Sequence, residues 1–268
     1  MTDLVLVECH DGLATIRLNR AERLNALNLE ATQLLLAHLL ELALDDKILA
    51  VVITGNGRAF CAGGDLAWAS GYVPGIGPAF RVLAGCFHQC VVEIGSMQKP
   101  VIAAINGVAA GAGFSLALAC DFRVIDGAAR LRQAYTAAGL SIDGGGTFML
   151  PRLVGLAKAL EIAALDEPLD ANRAHSLGLV TRVVQPGDAV KGAHELAHEL
   201  RQRSVESFAW SKRLLRASYE TPLETQLEWE RRGLVACACG PEGREGLQAF
   251  LAKRNPDFRH ARAAAASS

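Results

Sequence analysis

The stretch KPVIAAINGVAAGAGFSLALACDFRVI, residues 99–125, decides the fold. Within it, PVIAAIN (100–106) has the short apolar composition of a buried strand, AGAGFSLALA (110–119) predicts a helix, and DFRVID (121–126) predicts a second strand. The passage from strand to helix runs through NGVAAGAG, which has almost no side chains. Two readings fit it. Free N–H groups at a helix start attract a developing anion, and small residues let a ligand come close. The same residues also permit tight helix–strand packing. The dinucleotide-binding spacing G-x-G-x-x-G is absent.

Working outward, the strand–helix alternation continues. Toward the N-terminus, apolar runs at 4–9 and 13–18 flank Asp11-Gly12, a hairpin signal. Asn28 is placed to cap a helix through about Asp45, with Leu35, Leu39 and Leu42 on one face. ILAVVIT (48–54) reads as a strand, GRAFCAGGDL (57–66) as a loop whose Asp65 caps a short helix, and 78–97 as a helix. Toward the C-terminus, helices are expected at 155–165 and 171–177 and a last strand at 179–184. Only helical patterns follow 187, with Leu223, Leu227 and Leu234 on one face and Leu247, Phe250 and Leu251 on another. Strands alternating with helices, then helices alone, imply an α/β body with a helical appendage. The final ARAAAASS reads as a disordered tail.

Composition narrows the function. The 268 residues are 51% hydrophobic and 21% charged, enough to bury a sizeable core. A net charge of −1, from 27 basic and 28 acidic residues, argues against nucleic-acid binding by bulk electrostatics. The seven cysteines show neither a disulfide framework nor zinc-ligand spacing, and read as small buried hydrophobes of a reducing cytosol. No signal peptide or membrane span is apparent, so a cytoplasmic protein without membrane association is expected. No metal or redox cofactor is suggested.

The loop FCAGGDL (60–66) shares the character of residues 106–113, since a strand ends and small residues follow. Two such loops from neighbouring strands can aim two N–H groups at one oxygen. In an oxyanion hole each donor is worth roughly 2.7–4 kcal/mol of transition-state stabilisation.

GRAFCAGGDL, the 99–125 stretch, GGGTFMLPRLVGLAKALEI, NRAERLNALN, AHSLGLVTRVV and EGREGLQAFLAKRNPDF occur in an order that resembles the enoyl-CoA hydratase/isomerase (crotonase) superfamily over about residues 4–258. The resemblance implies a crotonase-like spiral of β-β-α units over residues 1–200. It also implies a helical region over 201–268 that builds homotrimers or hexamers. The implied substrate is an acyl-CoA thioester, with coenzyme A entering only as part of it. By similarity the oxyanion hole is formed by the backbone N–H groups of Gly64 and Ala112, the latter often glycine in the family. Ala62, Asp65, Leu66 and Arg23 become CoA-contacting candidates, and Phe250 and Lys253 match residues that reach the CoA of a neighbouring subunit.

The motifs are more specific for the superfamily than for the reaction. Hydratases of the family use two glutamates, whose positions here hold Ser115 and Tyr135, neither a good base near neutral pH. Asp143, at the head of DGGGT, stands where several isomerase branches carry one acid. The pattern is similar to the branch that isomerises ring-1,2-epoxyphenylacetyl-CoA and shifts enoyl-CoA double bonds. The expectation is therefore double-bond isomerisation with Asp143 as proton shuttle, the triple glycine giving clearance for a bulky thioester. Three alternatives stand beside it: an atypical hydratase, an aryl-CoA dehalogenase with Asp143 as nucleophile and His88 as base, and a non-catalytic acyl-CoA binder. Trp68, Phe80 and Phe87 suggest an apolar acyl site.

Overall fold

A computed structural model describes residues 3–266. The chain begins with an antiparallel hairpin, β1 (Val5–His10) and β2 (Leu13–Leu18), turned by Asp11 and Gly12 at φ 45° and 73°. Positive φ at both turn residues suits the twist of the strands. α1 (Leu29–Leu44) starts where the Asn28 side chain accepts the Ala31 N–H, and it buries Leu35, Leu39 and Leu42. β3 (Ala50–Gly55) follows, buried along its whole length. Next come β4 (Ala59–Cys61), α2 (Leu66–Ser70) and α3 (Ile76–Ser96). The decisive stretch folds as β5 (Val101–Ile105), β6 (Val108–Ala110), α4 (Ala112–Ala119) and β7 (Phe122–Asp126). Beyond it lie β8 (Arg130–Arg132), α5 (Gly146–Val154), α6 (Leu156–Leu165), β9 (Leu169–Asp170), α7 (Ala171–Ser176) and β10 (Arg182–Val184). Five helices complete the chain: α8 (Ala189–Arg201), α9 (Val205–Ala217), α10 (Leu223–Cys239), α11 (Pro241–Leu251) and α12 (Phe258–Ala266).

The strands make two sheets. The larger runs β1-β2-β3-β5-β7-β10 and is parallel apart from the first pair. The smaller runs β4-β6-β8-β9. Each turn of the chain gives one strand to the large sheet, one short strand to the small sheet, and then a helix. β3–β4–α2/α3, β5–β6–α4 and β7–β8–α5 are three such turns, so the chain winds as a β-β-α spiral. The small sheet departs from the expectation of a loop over residues 57–66, since Ala59–Cys61 form a strand. Its strands are two or three residues long, too short for an alternating pattern to register.

The main core lies between the sheets and α1, α3 and α4. On the other face of the large sheet, α8 packs Ala193, Leu196 and Ala197 against Val52, Ile102 and Val124. α9 is fastened by a buried cation. Lys212 Nζ donates to the Ile94 carbonyl at 2.8 Å and to Asp121 Oδ2 at 2.7 Å, and Asp121 Oδ2 also accepts the Val101 N–H. Burial lowers the Lys212 pKa, opposed by Asp121.

Two sequence expectations change. The terminal stretch is helical as far as Ala266, with Ser267 and Ser268 outside the described residues. Alanine is the best helix former, and Arg262 anchors the helix through Glu242 and the Arg201 carbonyl. Cysteine burial holds for Cys61, Cys90 and Cys120, where it pushes each thiol up to about 12, but Cys9 and Cys239 are exposed. Among the described residues, no helix is long and apolar enough to cross a membrane.

Candidate active site

The two glycine-bearing loops meet. A Cβ on Gly63, which holds φ 105°, would stand 2.9 Å from the Ala110 carbonyl oxygen and 3.3 Å from the Ala112 nitrogen. A Cβ on Gly113 would stand only 2.0 Å from the Cys61 carbonyl oxygen. The packing reading of the small-residue run therefore holds. The residues allow α4 to lie against β4, and the same contact brings two backbone donors to one place.

Those donors are oriented by their neighbours. Leu27 N–H bonds the Gly63 carbonyl at 2.7 Å, and Asp65 N–H bonds the Leu27 carbonyl at 2.8 Å. In a parallel bridge of this kind, the N–H of the intervening Gly64 faces the other way. Ala112 opens α4, so its N–H has no intrahelical acceptor. Among the described residues, neither the Gly64 nor the Ala112 N–H finds a backbone acceptor, and both residues line a cavity of about 470 Å³.

The walls of this cavity are largely apolar, with Leu27, Leu66, Phe80, Leu83, Phe87 and Leu140 among them. Asp143 is its one carboxylate among the described residues, and Tyr135 also faces in. Burial is the main cause that pushes the Tyr135 phenol up to about 12, with the Asp143 charge adding to it. The phenol is therefore neutral at physiological pH.

Asp143 is held from two helices. Ser115 of α4, fully buried, donates from Oγ to the Asp143 carbonyl at 2.6 Å and lies 3.4 Å from the Tyr135 hydroxyl. His88 of α3 meets Asp143 Oδ1 through Nε2 at 2.6 Å. The glycines after Asp143 serve this packing, which corrects their reading as clearance for a thioester. Gly144 and Gly145 hold φ of 62° and 75°. A Cβ on Gly144 would sit 2.3 Å from the Phe87 ring, and one on Gly146 would sit 2.9 Å from Ser115 Oγ. Gly144→Ala therefore combines a strained backbone with overpacking, and we expect it to destabilise the protein by about 1–3 kcal/mol. Urea unfolding checks this, and an unchanged midpoint would contradict it.

The other sequence candidates fall in several places. Ala62 and Leu66 line the cavity. Asp65 does not, because its oxygens are committed: Oδ1 accepts the Trp68 N–H that caps α2, and Oδ2 pairs with Arg20 at 2.9 Å. Trp68 packs on Tyr72 outside the cavity lining, whereas Phe80 and Phe87 are part of it. Arg23 is exposed and apart from the lining, as are Phe250 and Lys253 at the end of α11. Arg81, which lies in the segment 67–97 expected by similarity to wall the acyl pocket but was not singled out, lines the cavity. Its signal was readable, since Gly77, Arg81, Ala84 and His88 share one face of α3 at helical spacing. Among the described residues, no group of three or more His, Cys, Asp or Glu side chains could hold a metal ion.

Comparison with known proteins agrees with this architecture. Residues 8–261 match the family described as "Enoyl-CoA hydratase/isomerase". The chain is 36% identical to a 1,2-epoxyphenylacetyl-CoA isomerase of Escherichia coli K12, covering 96% of this chain and 99% of that protein. It is 33% identical to 4-chlorobenzoyl coenzyme A dehalogenase-2 of Arthrobacter sp., covering 93% and 91%. The crystal structure of an enoyl-CoA hydratase from Polaromonas sp. JS666 superposes with a TM-score of 0.88 at 36% identity, covering 94% of this chain and 98% of that one. With its β-β-α spiral and this match along nearly the whole chain, the protein belongs to the enoyl-CoA hydratase/isomerase (crotonase) superfamily.

Proposed function

We propose that the protein acts on an acyl-CoA thioester and moves a double bond of a 3-enoyl-CoA to the 2-position, with Asp143 carrying the proton. The observation that carries this reading is that, among the described residues, the cavity has a single carboxylate. Hydration needs a base for water and an acid for the α-carbon, whereas bond migration needs one group that takes a proton and returns it. Asp143 removes the proton from C2, and the electrons pass to the thioester oxygen. The Gly64 and Ala112 N–H groups hold the resulting dienolate. The carboxylic acid then gives the proton to C4 as the C3–C4 double bond moves to C2–C3. The similarity to an epoxyphenylacetyl-CoA isomerase supports the reading. So does Ser115, which is buried behind Asp143 rather than lining the cavity.

One contact favours a second reading. His88 at 2.6 Å from Asp143 suits a dehalogenase in which Asp143 attacks an aryl carbon and His88 acts as base. Purified protein offered 3-enoyl-CoA, 2-enoyl-CoA and 4-chlorobenzoyl-CoA separates the possibilities. Bond migration as the dominant activity is expected. Dominant hydration or chloride release would refute the isomerase assignment. Oligomerisation belongs to the same reading: Leu223, Leu234, Phe250 and Leu251 of α10 and α11 are 67–80% exposed in the single chain. A trimer or a pair of trimers would cover them and bring Phe250 and Lys253 to a neighbour's CoA.

A further inference from the structure

Asp143 has two carboxylate oxygens, and the geometry treats them differently. Oδ1 lies 2.6 Å from His88 Nε2, and among the described residues Oδ2 has no partner. An ionised carboxylate only accepts hydrogen bonds, so the imidazole N–H is the donor. Phe87 and His88, consecutive on α3, grip consecutive residues of the opposing loop. Phe87 is buried against Gly144, and His88 reaches Asp143. From α4, Ser115 fixes the Asp143 backbone at its carbonyl. Backbone and one oxygen are thus tied, and the second oxygen is free.

We infer that His88 is a positioning residue that divides the work of the Asp143 carboxylate, with Oδ1 as anchor and Oδ2 as the atom that carries the proton. This rests on the double-bond migration proposed above. In the forward direction the C2–H bond breaks as an O–H bond forms at Oδ2, and that bond breaks as the C4–H bond forms. Throughout, Oδ1 keeps the hydrogen bond from His88, first as part of a carboxylate and then as the carbonyl oxygen of the acid. No other reactant is needed. Without the imidazole, the carboxyl group of a side chain that is 39% exposed turns about its last torsion. Its proton is then carried by either oxygen and exchanges with water between the two steps.

The test compares the wild type with His88→Leu and His88→Gln on 3-hexenoyl-CoA and 4-phenyl-3-butenoyl-CoA. His88 is half exposed on a helix surface, so both variants should fold. His88→Leu is expected to lower kcat by roughly 10- to 100-fold with little change in KM, the scale of a mispositioned catalytic group. With substrate deuterated at C2, it should also lose label that the wild type transfers to C4. His88→Gln, whose amide can donate from a position close to Nε2, should recover much of both. Equal behaviour of the Gln and Leu variants, or unchanged kcat and label transfer in His88→Leu, would overturn the inference while leaving the isomerase reading intact. A wild type that isomerises neither thioester would remove both.

Discussion

Asp143→Asn lowers kcat for 3-enoyl-CoA isomerisation by about 10²–10⁴-fold, the range expected when a positioned acid–base group is lost. The substitution keeps the size of the side chain, and its amide oxygen can still accept the hydrogen bond from His88. Ser115 grips the main-chain carbonyl, which the change does not touch. The loop therefore holds its place, and what disappears is the group that takes the proton. Because the carboxylate acts on the transition state rather than on thioester binding, kcat falls while KM stays nearly constant. Steady-state kinetics on 3-hexenoyl-CoA reads this directly. Isomerisation that survives the substitution within a few-fold would mean that another group moves the proton. Tyr135 would be the next candidate to examine, although burial keeps its phenol protonated.

Ala112→Pro is the second large effect. Ala112 is the first residue of α4, where the fixed φ of proline fits a helix and its missing N–H removes no intrahelical bond. The substitution therefore deletes one candidate oxyanion donor with little cost to the helix itself. Loss of a single donor of this kind costs about 10²–10³-fold in kcat. Gly111 before it already adopts a conformation special to glycine, with φ 54°, and Gly63 packs close by. Circular dichroism and thermal unfolding must accordingly match the wild type before the kinetics are read. A variant that folds normally and retains full activity would remove Ala112 from the oxyanion hole.

Much of the fold was legible because its elements carry strong local signals. Asp11-Gly12 gave the hairpin, Asn28 the start of α1, and the apolar runs β3, β5 and β7 the body of the large sheet. The small sheet was not legible, since β4, β6, β8 and β9 are defined by their neighbours rather than by any pattern of their own. The site divides in the same way. Gly64 and Asp143 sit in motif-bearing loops and Ala112 at the start of α4, and the structure brings all three to one cavity. The resemblance set Asp143 and His88 in one site only within the dehalogenase alternative, and the local sequence does not carry their contact. Nothing local to residue 88 or residue 143 announces that the two side chains meet, nor that the Gly144 backbone must make room for Phe87. Asp65 carried both a capping signal and a place in a ligand-contacting motif, and the cap and Arg20 occupy its oxygens.

The most direct test of Asp143 as a proton shuttle is a crystal structure of the protein with an unreactive 3-enoyl-CoA analogue in the cavity. The account predicts one carboxylate oxygen about 3–3.5 Å from both C2 and C4. It also predicts the thioester oxygen about 2.7–3.1 Å from the Gly64 and Ala112 nitrogens. A carboxylate turned away from C2 and C4, with an ordered water held against C3, would contradict it.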